Sequence, residues 1–328
     1  MKTVWALMDN RRGSVGQAKG VLSALKELAP NEYQIVEKNL VYNRWAGLPN
    51  WLRGRTLLGL TADSKKQISA PYPDLVLSIS RRTAPVARYI KKQNPQTKLV
   101  QLMHSGRTGI NDFALLIVPE HDKNKKASPN VHYIVGCPHQ VTPQYLASAR
   151  EKWASAFADL PKPLTAVIIG GAIKGRPFPE HDVRALCQEI KRLKQKIGGS
   201  ILITTSRRTG QQAEQIIKAE LHDLPQYNYY WGDTRENPYA GFLACADNIV
   251  ITADSVSMCC EATGTGKPLY LFIGDKNWMT PKHFRFADSL LAGGYAVRLQ
   301  NATEADFKTQ KGLNAAHDVA ELIQKILA

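Results

Sequence analysis

Ile249-Val-Ile-Thr-Ala-Asp-Ser-Val-Ser-Met-Cys-Cys-Glu-Ala-Thr-Gly-Thr-Gly-Lys-Pro-Leu-Tyr-Leu-Phe-Ile273 reads as strand, sharp turn, short helix, glycine stop and second strand. Ile249 to Thr252 is a short apolar run of the kind buried in a parallel sheet. Asp254 or Ser255 suits the N-cap, and no breaker follows before Gly264. Pro268 forbids helix, and Leu269 to Ile273 resumes a buried strand. The first turn of such a helix has free N–H groups and a partial positive charge, which suit a phosphate or diphosphate. Ser255 and Ser257 add hydroxyls there. Glu261 lies four residues past Ser257, one turn along the same face. A carboxylate so placed accepts two hydroxyl hydrogen bonds, as a ribose offers. The same residues also fit a plain capping role, with Glu261 a solvated surface charge.

Working back from this stretch, the second half repeats one pattern. Leu164 to Ile169 is a buried strand ending in Gly170-Gly171, and Ser200 to Thr204 another, ending in Ser206-Arg207-Arg208-Thr209. Tyr227 to Trp231 is a third, followed by Gly232. Leu160-Pro-Lys-Pro163 is a proline-bracketed joint and sets the expected boundary between domains 1–160 and 161–328. The first half alternates likewise, with strands expected at 3–8, 33–37, 74–79, 99–102, 114–118 and 131–135. Helices are expected at Val15–Leu28, Ala84–Lys92 and Pro143–Ala158. Polar side chains recur just after strand ends: Arg11, Arg81, Arg82, His104, Arg107, Glu120, His121 and Asp122. In an open parallel sheet such positions converge on the crevice at its carboxyl edge. Ser80-Arg-Arg-Thr83 and Ser206-Arg-Arg-Thr209 stand 126 residues apart, each between a strand and a helix. That recurrence suggests two similar βα halves.

Composition narrows the partners. The 328 residues suffice for two cores, and the 44% hydrophobic and 22% charged fractions are those of a globular protein. No apolar run approaches a membrane span, and Asp9-Asn-Arg-Arg-Gly13 directly after the first apolar run argues against a signal peptide. The five cysteines form neither a CxxC pair nor a Cys/His metal spacing, so the expectation is a cytoplasmic protein without a metal site. Charge is uneven. Residues 1–160 hold 23 basic against 11 acidic side chains, and the remainder 20 against 17, out of a net +15. Such a field favours anionic partners. Asn43 to Leu60 interleaves Trp45, Trp51 and several leucines with Arg44, Arg53 and Arg55. That mixture suits either a loop packed on its own domain or a segment meeting an anionic membrane surface peripherally. No nucleic-acid-binding motif is present.

Thr252 to Pro268, together with Ser80–Ala87, Val118–Asp122, Thr204–Thr209 and Asn237–Gly241, resembles the mitochondrial fission ELM family in segment and in order. That family has many bacterial members and is similar to glycosyltransferases of the GT-B fold. The resemblance implies an α/β protein of two Rossmann-like domains facing a cleft, with a nucleotide-sugar donor on the second and the acceptor on the first. It places Gly170, Gly171, Ser255 and Ser257 at the diphosphate, Arg207 or Arg208 as its neutralising cation, Glu261 at the ribose, and Trp231 and Gly232 at the base. His121, Asp122 or His104 is then the base that deprotonates the acceptor hydroxyl. The implied reaction is a metal-independent glycosyl transfer to a membrane-associated or cell-envelope acceptor, with the nucleotide sugar as substrate and no further cofactor. Two alternatives stay open: a non-catalytic adaptor on the same body, as the eukaryotic members' recruitment of a dynamin-like GTPase implies, and a nucleotide-sugar epimerase.

Overall fold

The computed structural model describes residues 1–9, 12–105, 108–123, 128–302 and 312–328. Arg11 and Arg107, named above at strand ends, lie outside the described residues. The chain divides into two compact units, Met1–Gln140 with Asn314–Ala328, and Val141–Leu313.

The first unit contains β1 (Lys2–Met8), α1 (Arg12–Leu28), β2 (Tyr33–Asn39), α2 (Asn50–Arg53), α3 (Ala62–Lys66), β3 (Leu75–Ile79), α4 (Ser80–Gln93), β4 (Lys98–Leu102), β5 (Leu115–Pro119) and β6 (Val131–Ile134). Its six strands are all parallel, in the order β2-β1-β3-β4-β5-β6. Because helices cover both faces, β3 and β5 are buried at every position and read as unbroken apolar runs. Period-two alternation sends Val4, Ala6 and Met8 to a core shared with Val21 and Leu25 of α1, while Trp5 and Leu7 join Ala87 and Ile90 of α4 on the other face. Helix α4 begins at Ser80, four residues before the expected Ala84, so the chain turns from strand to helix without a linker.

The second unit contains α5 (Pro143–Trp153), β7 (Leu164–Ile169), α6 (Glu180–Ile197), β8 (Ser200–Thr205), α7 (Gln211–Leu221), β9 (Gln226–Tyr229), α8 (Tyr239–Cys245), β10 (Asn248–Thr252), α9 (Val256–Thr263), β11 (Leu269–Phe272), α10 (Pro281–Ala292) and β12 (Val297–Arg298). Its parallel sheet runs β12-β11-β10-β7-β8-β9. Cys259 and Cys260 are buried inside α9 and pack as small apolar residues.

The division differs from the expected 160/161 boundary at both ends. Helix α5 packs within the second unit: Arg150 donates to the Ala244 carbonyl of α8, and Phe157, in the turn that follows α5, meets Tyr227 edge-on at 5.0 Å. Helix α11 (Ala315–Leu327) belongs to the first unit, where Ala316, Val319 and Ile323 share the core of β1 and α1. The prolines at 161 and 163 therefore mark a break between α5 and β7 inside one unit. Among the described residues no helix is long and apolar enough to cross a membrane.

Candidate functional site

In the second sheet the direction of winding reverses between β7 and β10, and at such a switch point the flanking loops diverge and leave a crevice. Gly170 and Gly171 leave β7 there, and Asp254 leaves β10. Thr252 Oγ1 accepts from Gly170 N (2.8 Å) and donates to Asp254 Oδ1 (2.6 Å). Asp254 Oδ2 accepts from Gly171 N (2.9 Å) and pairs with Arg208 Nη1 (2.9 Å). Asp254 thus turns into the sheet edge, and Ser255 occupies the N-cap of α9 without a side-chain cap bond. Burial pushes the Asp254 carboxyl up from its ordinary range, and the Arg208 guanidinium, the Thr252 hydroxyl and the Gly171 amide act against that. A Cβ at Gly170 would lie 2.1 Å from Asp254 Oδ1. At Gly171, φ is +151° and a Cβ would lie 2.1 Å from the Arg208 carbonyl. Both glycines are required for close approach, and both their amides are already used internally.

The Ser206–Thr209 loop closes over the same edge. Ser206 Oγ donates to Gly170 O (2.8 Å), Thr209 Oγ1 also donates to it, and Ala172 N donates to Arg208 O (2.7 Å). Trp278, fully buried and stacked on Phe178, donates from Nε1 to Gly171 O (3.0 Å). Of the two arginines expected at a diphosphate, Arg208 is committed to Asp254 and Ala172 O, whereas Arg207 is exposed and has no ion pair among the described residues.

Helix α9 carries Ser257 and Glu261, both half-buried. Tyr239 Oη donates to Glu261 Oε2 at 2.6 Å, and no hydrogen bond to Oε1 occurs among the described residues. Burial pushes the Tyr239 phenol well above its ordinary value and Glu261 reinforces this, so the phenol keeps its proton and remains the donor. Burial also raises the Glu261 carboxyl, and the Tyr239 bond pulls it back down. Glu261 therefore holds one oriented, acceptor-ready oxygen and is no solvated surface charge. Trp231, 57% exposed, and Gly232, at φ +92°, follow β9, two strands from β7, with Trp231 N fixed to Thr205 Oγ1 at 2.8 Å.

In the first unit the candidate bases differ in access. His104 is exposed after β4, and Asp122 is half-buried after β5. His121 is buried, its Nε2 3.9 Å from Asp122 Oδ2. The switch point of this sheet lies between β1 and β3, where Ser80 Oγ donates to Asp9 Oδ2 at 3.1 Å. Arg81 and Arg82 serve the preceding loop: Arg81 donates to the Leu48 and Gly47 carbonyls (3.0 and 3.2 Å), and Arg82 lies over the Tyr42 ring. His181, Asp182 and Asp275 form the one described group with metal-ligand spacing; His181 Nε2 is already 2.8 Å from Asp275 Oδ2.

Tyr239, inside the Asn237–Gly241 segment, is the site residue that no spacing along the chain ties to Glu261; its phenol is the one signal for it. Asp254 turns inward to Gly171 and Arg208 and leaves the cap position, which an acid before a helix usually fills, to Ser255.

The family model described as Mitochondrial fission ELM1 matches residues 12–327. The uncharacterized protein RP120 of Rickettsia prowazekii (strain Madrid E) is 30% identical over 352 aligned positions, covering 98% of this chain and 97% of that protein. Mitochondrial fission protein ELM1 of Arabidopsis thaliana is 31% identical over 230 positions, which cover 62% of this chain and 52% of the plant protein. Among solved structures, the UDP-GlcNAc 2-epimerase of Methanocaldococcus jannaschii superposes with a TM-score of 0.62 at 14% identity, covering 99% of each chain. At that identity the likeness is one of fold, the GT-B arrangement of two parallel sheets.

Proposed function

The chain belongs to the mitochondrial fission ELM1 family, and from that premise we propose that it is a glycosyltransferase using a UDP-sugar donor bound at the β7/β10 crevice of the second unit. The observation that carries this reading is Glu261: a half-buried carboxylate one turn from a helix start, one oxygen held by Tyr239 and the other without a donor among the described residues. A ribose diol donates to such a carboxylate, and the diphosphate of the same nucleotide suits the adjacent uncapped helix terminus. The diphosphate lies on the Ser255–Ser257 turn, with the exposed Arg207 as its cation. UDP is chosen because the superposed archaeal enzyme is named for a UDP-sugar.

In the transfer, the acceptor hydroxyl oxygen bonds to the anomeric carbon as the bond to the diphosphate breaks, and a general base takes the hydroxyl proton. Calorimetry with UDP, followed by product analysis with a panel of UDP-sugars, tests the reading. Glu261→Ala should weaken UDP about 30- to 150-fold, the effect of losing a charged partner to two hydroxyls. Equal affinity in both proteins sinks the ribose assignment. Epimerised sugar without transfer marks an epimerase, and no UDP binding to the wild type leaves an adaptor.

A further inference from the structure

Among the described residues, the exposed large apolar side chains of the first unit, apart from Met1, fall between residues 41 and 58: Val41, Trp45, Trp51, Leu52 and Leu58. Trp51 is 67% and Leu52 50% exposed on α2. A short helix that turns Trp and Leu to solvent gains nothing from the hydrophobic effect within its own fold, and a cluster of such groups marks a contact surface. The segment is nevertheless rigidly held. Asn50 Nδ2 donates to the Arg81 and Ser105 carbonyls (2.9 and 2.6 Å), and the fully buried Arg53 donates to the Leu58 and Arg82 carbonyls (3.2 and 3.0 Å). These bonds fix the apolar tips beside the carboxyl edge of the first sheet, the edge at which Ser80 and His104 follow their strands.

Leu58 also lines a shallow depression whose rim carries Arg55, Lys65 and Lys92, with Leu57 and Tyr89 in its wall. Asp112 is shared by Arg55 (2.5 Å) and Arg88 (2.6 Å), so one carboxylate faces two guanidinium groups. Lys65 and Lys92 have no ion pair among the described residues. The depression therefore holds uncompensated positive charge immediately beside apolar tips.

We propose that this surface seats the first unit on an anionic phospholipid bilayer, with Trp51 and Leu52 in the interfacial zone and a headgroup phosphate in the Arg55–Lys65–Lys92 depression. Charge complementarity selects a lipid surface over a second copy of this chain, because the first unit carries 22 basic against 11 acidic groups and two such faces repel. Tryptophan with flanking cations is the chemistry of the membrane interface. The inference deepens the transferase reading, and rests on it for one consequence: a lipid-borne acceptor would be presented at the His104 edge.

Co-sedimentation of the full chain with vesicles tests it, using phosphatidylcholine alone and phosphatidylcholine mixed with phosphatidylglycerol. Binding should appear on the mixed vesicles and fall steeply with salt. Lys65→Gln and Lys92→Gln should each weaken it about fivefold. Trp51→Ala with Leu52→Ala should abolish it; both side chains are solvent-facing, and an unchanged melting temperature verifies the fold. Equal binding to both vesicle types, or to neither, overturns the proposal. So does loss of self-association in the Trp51/Leu52 variant with vesicle binding intact, which would make the patch a protein interface. UDP calorimetry on the same samples separates the readings: vesicle failure with intact UDP binding removes this inference alone, and the reverse removes the transferase reading alone.

Discussion

Ser-Arg-Arg-Thr occurs at residues 80–83 and 206–209, after β3 and after β8, and the two copies take different structures. In the first, helix α4 starts at Ser80 itself, with φ at +70°, and Thr83 Oγ1 bonds back to Ile79 O at 2.7 Å. In the second, the tetrapeptide is a loop whose Ser206 and Thr209 hydroxyls both reach Gly170 O, and α7 waits until Gln211. The difference follows from the neighbouring strand. Gly170 leaves its carbonyl open to two hydroxyls, whereas Asp9 occupies the corresponding place beside Ser80 and accepts its hydroxyl. As a result the first pair of arginines serves a loop, and the second supplies a guanidinium to a buried carboxylate. One tetrapeptide thus acts as a helix start in one unit and as a crevice wall in the other.

The largest test of that contrast is Arg208→Ala against Arg81→Ala. Arg208 is the cation paired with the fully buried Asp254 carboxylate, so its removal should cost about 3 kcal/mol at neutral pH. Arg81 gives up only two bonds to carbonyls of an exposed loop, a loss of about 1 kcal/mol. The pH dependence separates them further. Asp254 has a raised folded-state pKa, so in the window above about pH 4 the native state binds more protons than the unfolded chain, and stability falls as pH rises through the folded value. Removing Arg208 raises that value further. The deficit should therefore be small in acid and grow with pH, while that of Arg81→Ala stays flat. Urea melts of both variants at acid and neutral pH read this directly, and parallel deficits would show that Arg208 does not neutralise Asp254.

The second test concerns what the crevice wall surrounds. Tyr239→Phe removes the donor that counteracts burial of Glu261, so the Glu261 pKa should rise. A protonated carboxyl is the poorer acceptor for a diol. UDP affinity should fall about tenfold at mildly acid pH and recover towards alkaline pH, with the loss beginning at a higher pH than in the wild type. Titrations over a pH series check it, and an unshifted profile would make Tyr239 a packing residue only. Here lies the limit of what was legible in the chain. The parallel strands are readable because helices on both faces make them unbroken apolar runs. The partner of Glu261 is not, since Tyr239 sits 22 residues away on another helix, and neither is the turn of Asp254 towards Gly171, 83 residues away. Helix α11 returns to the first unit for the same kind of reason: its apolar face shows that it packs, not against what.

The smallest effect is also the sharpest reading of the contrast. Ser80 holds a positive φ, a conformation that costs a side-chain-bearing residue about 1 kcal/mol, and glycine adopts it freely. Ser206 is not among the residues with positive φ, so glycine there brings only its backbone entropy penalty, about 0.5–1 kcal/mol relative to alanine. Both serines lose a hydroxyl hydrogen bond in either substitution, to Asp9 in one case and Gly170 O in the other, so that loss cancels when alanine and glycine are compared at one site. Glycine should therefore be the more stable replacement at 80 by about 1 kcal/mol, and alanine the more stable one at 206 by slightly less. Four chemical denaturation curves decide it. The same order at both positions would mean that the turn into α4 stores no backbone strain, and that Asp9 alone distinguishes the two copies.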